Sequence, residues 1–404
     1  MSELTYLEKL LNNMDLHTGN KVEWKPLWQV TIWDKKFNAV EREKQPEVIK
    51  YQYFLAKDLK SLALENGDVK LLTTNLSDIW TSEELVKDKM SEGEIIAIPW
   101  GGNPVVQYYK GKFVTTDNRI ATSNNKEILS NKFLYYYLSS QIELISSFYR
   151  GSGIKHPSMH DVLHIPIPIP PLTVQNKVVQ ILDTFTTLTA ELTAELTAEL
   201  LARVKQYVYY RGQLFTFKDS EVKNTNLGEL AENHDSKRKP ITSSLREAGD
   251  IPYYGASGIV DYVKDYIFDG DYLLVSEDGA NLLARSTPIA FSISGKNWVN
   301  NHAHVLEFET YAERKYVEYY LNSIDLTPYI SGAAQPKLNQ KNLNSISIPN
   351  PSLKEKERIV NILDKFDTLT TSLTAGLPRE IELRQQQYEY YRELLLSFPK
   401  PEDV

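Results

Sequence analysis

Between Thr173 and Arg211 the chain holds neither glycine nor proline, and this constrains its fold more than any other feature. Apolar residues recur there at helical spacing, at Val178, Ile181, Leu182, Phe185, Leu188 and Leu192, which predicts one long amphipathic helix. At 1.5 Å per residue such a helix runs roughly 60 Å, longer than a small domain is wide. The preceding run Ile165–Pro171 is studded with prolines, must be extended, and reads as the lead-in. Inside the helix, Thr189-Ala190-Glu191-Leu192 recurs as 193–196 and 197–200. Each copy advances the helix by roughly 6 Å and carries its leucine about 40° round the axis. Leu192, Leu196 and Leu200 therefore trace a slowly winding stripe rather than the heptad seam of a stable coiled coil. The stretch is either a good helix former filling space or a spacer of adjustable length.

The same stretch is written twice. With the numbering shifted by 181, Ile165–Phe217 lies on Ile346–Phe398 without a gap, and 26 of 53 positions are identical. Ile181-Leu182-Asp183-x-Phe185 matches Ile362-Leu363-Asp364-x-Phe366, and Gln206-Tyr207-x-Tyr209-Tyr210-Arg211 matches Gln387-Tyr388-x-Tyr390-Tyr391-Arg392. The chain is a duplicated unit. The copies part at Gly376-Leu377-Pro378, where proline starts a new helix or kinks the old one.

Weaker signals place the duplicated globular parts. Residues 2–14 read as a short helix. Glu94–Ile98 is a strand candidate, followed by the turn Pro99-Trp100-Gly101-Gly102-Asn103-Pro104. Val105–Tyr109 and Lys112–Thr116 read as a hairpin around Lys110-Gly111, and Asn131–Phe148 as a tyrosine-rich helix. In the second half Gly270–Val275 matches Gly93–Ile98, and Lys315–Leu321 matches Lys132–Leu138. The order is globule, helix, globule, helix, an α+β chain with boundaries at 1–152, 153–217, 218–331 and 332–404. The helices stayed alike while the globules diverged, most of all in their turns, where binding residues usually sit.

These residues resemble a known family, the DNA specificity (S) subunits of type I restriction–modification systems. The likeness rests on the Ile-Pro-x-Pro-x-Leu lead-ins Ile167–Leu172 and Ile348–Leu353, the Ile-Leu-Asp-x-Phe motifs and the Gly255-Ala256-Ser257-Gly258-Ile259 turn. The four-residue repeat is similar to the type IC branch. The resemblance implies two target-recognition domains, each reading half of a bipartite site on double-stranded DNA. It implies paired helices that set the gap and dock two modification (methyltransferase) subunits. On those partners, and on restriction subunits, would act S-adenosylmethionine, ATP and magnesium; this chain binds no cofactor.

Composition limits the alternatives. Apolar content of 42% is ample for real cores, and the absence of cysteine excludes disulfides and thiolate metal sites. No signal peptide opens the chain and no apolar run approaches membrane length, so it is expected in the cytoplasm. A net charge of −8 is unlike that of a free-standing DNA binder, so contacts must be local or shared with a partner. No Asn/Asp-Pro-Pro-Tyr/Phe motif and no phosphate-cradling glycine loop is present, which predicts a non-catalytic chain. His156, His160 and His164 are spaced by four, but Pro157 argues against a regular helix there, so no metal site is expected. His302 and His304 alternate on a probable strand, sharing a face as a structural or base-contacting pair.

For DNA contact the first region offers Trp100, Gly101, Gly102 and Asn103, with Asn118 and Arg119 on the neighbouring segment. Asn reads adenine bidentately and Arg reads guanine. The second offers Ser276, Glu277, Asp278 and Asn281, with Asn300, Asn301 and His302; carboxylates can accept from cytosine N4. Tyr254, Ser257, Lys237, Arg238 and Lys239 are candidates for holding phosphates, although a Lys/Arg run is also the ordinary composition of a solvated loop. On the helices, Leu182, Phe185, Leu188, Leu192, Leu196, Leu200, Leu363, Phe366 and Leu369 are expected to pack or dock. Tyr207, Tyr210, Tyr388 and Tyr391 are expected to pack antiparallel helices on each other or on a domain. Such offset copies predict a pseudo-two-fold relation and an asymmetric bipartite site. The rival is a scaffold that bridges two proteins without reading DNA; exchanging residues 99–104 with 276–281 separates the two.

Overall fold

The computed structural model describes residues 22–218, 222–332 and 335–400. The helix expected over residues 2–14 lies outside them. By internal contacts the chain forms two compact units, Met1–Leu192 with Leu383–Val404, and Thr193–Glu382. The boundary falls inside the four-residue repeat.

In each unit, alternating apolar residues build a six-stranded sheet. The first contains β1 (Thr31–Trp33), β2 (Val69–Leu72), β3 (Trp80–Thr81), β4 (Ser91–Pro99), β5 (Gln107–Thr115) and β6 (Asn118–Ser123), in the spatial order β1-β6-β4-β5-β2-β3. The second contains β7 (Glu232–Asn233), β8 (Ala248–Gly255), β9 (Gly258–Val263), β10 (Phe268–Ser276), β11 (Ala290–Val299) and β12 (Ala303–Glu307), in the order β7-β12-β10-β11-β8-β9. The orders are the same after a shift of six strands. In both sheets neighbours are antiparallel except for one parallel pair, β2 with β5 and β8 with β11. The expected hairpin around Lys110-Gly111 is instead one continuous strand, β5, in which Gly111 faces Gly93. Gly111 takes φ +140°, so the strand bends without turning back. Gly270 (φ +159°) and Gly295 occupy the same places in the second sheet.

Among the described residues the helices of ten residues or more are α1 (Asn131–Ser140), α2 (Leu172–Leu214), α3 (Tyr311–Ser323), α4 (Leu353–Thr371) and α5 (Leu377–Leu396). The tyrosine-rich helix expected to reach Phe148 breaks at Gln141 and resumes as Ile142–Ser147. Ser130 and Thr310 cap α1 and α3, their hydroxyls accepting from the N–H of Phe133 and Glu313. The second copy of the long helix is two helices. At the break Gly376 takes φ +85°, where a Cβ would collide with the carbonyl of Thr368, and Pro378 sits in the first turn of α5.

The proline lead-ins are strands. Pro166–Ile169 pairs antiparallel with Glu23–Pro26, and Ser347–Pro349 with Asn224–Asn226. The N–H of Leu27 donates to Ile165 O at 2.9 Å, and that of Leu227 to Ile346 O at 2.9 Å. Each lead-in thereby ties its helix to the start of its globular region.

Helix and sheet share one core per unit. Val178 and Leu182 of α2 and Leu395 and Leu396 of α5 are buried with Phe133, Leu134 and Ile98. In the second unit Ile359, Val360 and Leu363 of α4 are buried with Tyr316, Val317 and Leu273. The aspartate of the repeated motif is spoken for. Asp183 accepts from Tyr136 Oη at 2.6 Å and Lys132 Nζ at 2.7 Å; Asp364 accepts from Tyr319 Oη at 2.6 Å and Tyr311 Oη at 2.9 Å. Burial first, and these bonds next, push the phenols of Tyr136 and Tyr319 far above their ordinary range. The tyrosine clusters pack helix on helix as expected: Phe185 meets Tyr391 at 5.7 Å, and Phe366 meets Tyr210 at 5.9 Å and Tyr207 at 6.0 Å. Tyr388 Oη is 3.1 Å from Thr186 Oγ1. In the first unit Phe185 meets Tyr391 and Thr186 meets Tyr388, so these packed segments run antiparallel. Leu188 and Leu192 stay exposed, and Leu196, Leu200 and Leu369 are half-buried, as a winding stripe requires. No helix among the described residues is long and apolar enough to cross a membrane.

Candidate nucleic-acid interface

β4 is apolar from Ile95 to Ile98 and buried, which fixes the turn that follows it at the end of a central strand of the first sheet. Trp100 is half-buried in that turn; Gly102, at φ +99°, and Asn103 are exposed. Two cations lie over the indole: the Arg119 guanidinium at 4.4 Å and Lys35 Nζ at 5.0 Å. Burial first, and the charge of Arg119 next, lower the pKa of the Lys35 ammonium. His156 Nδ1 donates to Trp100 O at 2.6 Å, a carbonyl being able only to accept. Beneath, burial raises the pKa of Asp34, against the pull of Tyr53 Oη, the Ile120 N–H and Arg119.

Two of the expected readers are not available to bases here. Asn118 is 0% exposed, and its amide donates to the carbonyls of Leu72 and Thr73 and to Thr115 Oγ1. Arg119 is 5% exposed; its guanidinium donates to Asp117 at 2.9 Å and to Asn118 O, and lies 3.6 Å from Asp34. Arg119 serves the surface through the ring it holds. The alternation of β6 turns both side chains toward partners that local sequence does not show.

In the second unit an ion network replaces the aromatic stack. Arg238 Nη1 donates to Glu277 Oε2 at 2.6 Å and to Ala303 O at 2.8 Å, and Lys337 Nζ lies 3.1 Å from Glu277 Oε1. His304 is buried, its Nε2 donating to Leu338 O at 2.7 Å and its Nδ1 lying 2.6 Å from Asp235 Oδ2. For both Glu277 and Asp235 the largest influence is burial, which raises the pKa. Hydrogen bonds and charges from Arg238, Lys337 and His304 outweigh it, and both end below ordinary carboxylates. Arg238 and Glu277 are thus committed to each other rather than to phosphate and cytosine. Ser276 is buried, its hydroxyl donating to Ala256 O. Asn300 is buried and accepts from the His302 N–H, and the Asn281 amide closes its own loop onto Thr287. His302 and His304 do not share an environment: His302 stands in the exposed turn, paired with Asp278 at 2.9 Å. Lys237, Lys239, Ser257, Asn301 and His302 remain exposed, with Tyr254 and Asp278 half-exposed.

Two groups of three metal-ligand residue types occur among the described residues. Asp235, Glu277 and His304 are already matched by Arg238 and Lys337. Glu232, His234 and Glu307 meet around a buried imidazole whose Nε2 is 2.5 Å from Glu307 Oε2. His160 and His164 stack at 4.4 Å, on and just beyond the short helix Met159–Leu163, which forms despite Pro157 because it starts after it.

Tyr149–Arg150 and His156–Pro157 form a hairpin that no local sequence signal marks, since its strands are two residues long. It packs on the Trp100 turn, the Gly102 N–H donating to Lys155 O at 3.0 Å.

Comparison with known proteins agrees with this architecture. A family described as the type I restriction modification DNA specificity domain matches residues 47–202 and 219–383. A type I restriction enzyme specificity subunit of Escherichia coli is 35% identical over 100% of both chains. A second from the same species is 32% identical over 93% of each. Among solved structures, a chain from a study of complex assembly and conformational transition of the type I restriction–modification system superposes with TM-score 0.58 at 15% identity, over 94% of this chain and 99% of that one. The S subunit of M. genitalium superposes with TM-score 0.50 at 17% identity, over 95% and 98%. These two likenesses concern the fold.

Proposed function

The chain belongs to the type I restriction–modification DNA specificity family, and from that membership we propose how it reads DNA and with whom. It is a specificity subunit, not an enzyme. Each unit reads one half of a bipartite site on double-stranded DNA, and the helices set the gap and dock two modification subunits. Methyl transfer with S-adenosylmethionine belongs to those subunits; ATP and magnesium chemistry belongs to restriction subunits. The observation that carries the reading is one sheet order used twice under different exposed side chains. Trp100, Gly101 and Gly102 stand where the other unit has Glu277, Asp278 and Gly279. Two equal frames with unlike surfaces suit an asymmetric site. Phosphate neutralisation, for a chain of net charge −8, is shared with its partners.

The helix is then a ruler. One Thr-Ala-Glu-Leu copy advances it roughly 6 Å and rotates it about 40°. One base pair advances B-DNA about 3.4 Å and rotates it roughly 35°. Rise favours nearly two pairs, twist favours one, and angular register decides whether a reading element enters the groove. Deleting Thr197–Leu200 is expected to shorten the gap by one base pair, mapped by sequencing methylated DNA from cells carrying the complete system. An unchanged gap sinks the ruler.

A further inference from the structure

The hairpin over residues 149–157 holds a feature that the turn beside it does not explain. Gly151 takes φ +143°, and a Cβ there would lie 2.9 Å from the Ile154 carbonyl oxygen. A Cβ on Gly101 would lie 3.0 Å from Ile154 Cγ2, so the isoleucine rests across a bare backbone. The hairpin is fastened to the turn at the two residues that follow Ile154, by the Gly102 N–H on Lys155 O and by His156 Nδ1 on Trp100 O. Yet Ile154 is 70% exposed. Single exposed aliphatics are ordinary on loops. This one is held in a locked frame beside exposed Lys155 and the two cations over Trp100, with Asp117 and Asp34 the acidic groups paired to Arg119.

The second unit repeats the frame with another side chain. Ser331 bridges to Lys337 as Arg150 pairs with His156, and the Gly279 N–H donates to Pro336 O at 3.3 Å as Gly102 does to Lys155. Two residues before each closing pair stands Ile154 in one unit and exposed Gln335 in the other. An aliphatic side chain and an amide are two ways of reading an A·T pair in the major groove. The first touches the thymine 5-methyl group, and the second bonds adenine N6 and N7.

We propose that Ile154 is a specificity-determining residue that packs against the 5-methyl group of one thymine in the half-site read by the first unit. The inference rests on the DNA-reading function proposed above. Lys35 and Lys155 hold the neighbouring phosphates, and the hairpin supplies the rigidity that lets one methyl contact discriminate.

The test uses the complex with its modification subunits and duplexes bearing its mapped target. Each thymine of the target is replaced in turn by uracil, which removes only the methyl group. The wild-type complex is expected to bind one such duplex, altered in the first half-site, roughly three- to five-fold more weakly, the worth of one buried methyl. Ile154→Ala is expected to bind that duplex and its thymine parent alike, and to keep full sensitivity in the other half-site. Ile154→Val, which keeps a branched contact, retains the discrimination. If no first-half uracil weakens the wild type, or Ile154→Ala discriminates as the wild type does, the inference falls while specific binding stands. If the wild-type complex prefers its target no more than a scrambled duplex, the DNA-reading function falls with it.

Discussion

At the scale of single residues, side-chain type and side-chain duty come apart. Asn118, Arg119, Arg238 and Glu277 have the chemistry of base and phosphate readers, and the fold uses that chemistry on itself. Arg238 is the clearest case, because its partner Glu277 is itself largely shielded from water. Arg238→Ala leaves that carboxylate with Lys337 and, at 3.8 Å, His304, and is expected to cost about 3 kcal/mol, the low end for a broken buried pair. The pH dependence has a definite sign. Glu277 and Asp235 titrate below their ordinary values of 4.5 and 3.8, so the unfolded chain takes up protons first as the solution is acidified. Their contribution is complete above those ordinary values and is lost as pH falls through the lower, folded-state values. In Arg238→Ala the folded-state values rise toward the ordinary ones, so the acid-dependent loss is expected to be smaller and to finish at higher pH, read as the urea midpoint between pH 6 and pH 3. A constant difference between the two proteins across that range would refute the assignment.

Among elements, the informative comparison is between the two copies of the long helix. α2 runs unbroken through the repeat, whereas the second copy stops at Thr371 and restarts at Leu377, just after Gly376 in a left-handed conformation open to glycine. Gly376→Ala is expected to lose at least about 1–2 kcal/mol from that backbone alone, and more from the collision with Thr368 O. The matched control is Gly212→Ala inside α2, where an added Cβ meets nothing within 4 Å and alanine is the better helix former. It should gain roughly 0.5–1 kcal/mol. Thermal unfolding of both variants decides the matter; equal effects would mean that the break is not set by glycine. The motif aspartates Asp183 and Asp364 belong to this scale too, since each fastens a helix to the tyrosine-bearing helix of its own unit.

For the whole molecule, duplication predicts what exchange should do. Each globular region is bounded by the same tie, Leu27 to Ile165 and Leu227 to Ile346. Replacing residues 27–165 by a second copy of 227–346 therefore joins like ends, and the core contacts of the helix keep their equivalents. The methylated site is expected to become two copies of the second half-site. A chain that assembles with its modification subunits but keeps the original first half-site would show that sequence is read elsewhere. Exchanging only residues 99–104 with 276–281 is the poorer experiment in this fold, because it tears Glu277 from Arg238 and Lys337 as it moves the turn.

The sequence by itself determined the parts that local chemistry sets: the unbroken helix, the extended proline lead-ins, the departure of the second copy at Gly376-Leu377-Pro378 and the duplication that makes two sheets follow one order. Periodicity and backbone-restricting residues act over a few positions, so they are readable in line. Tertiary structure decided which polar residues face outward and which segment joins the turn at the surface. Asp34 accepts from the Ile120 N–H across 86 positions, and that pairing shapes the environment of Arg119. The hairpin over residues 149–157 was not legible because its neighbour in space, Trp100, lies 56 positions before His156 in the chain. Burial and contact depend on such distant pairings, and no local pattern encodes them.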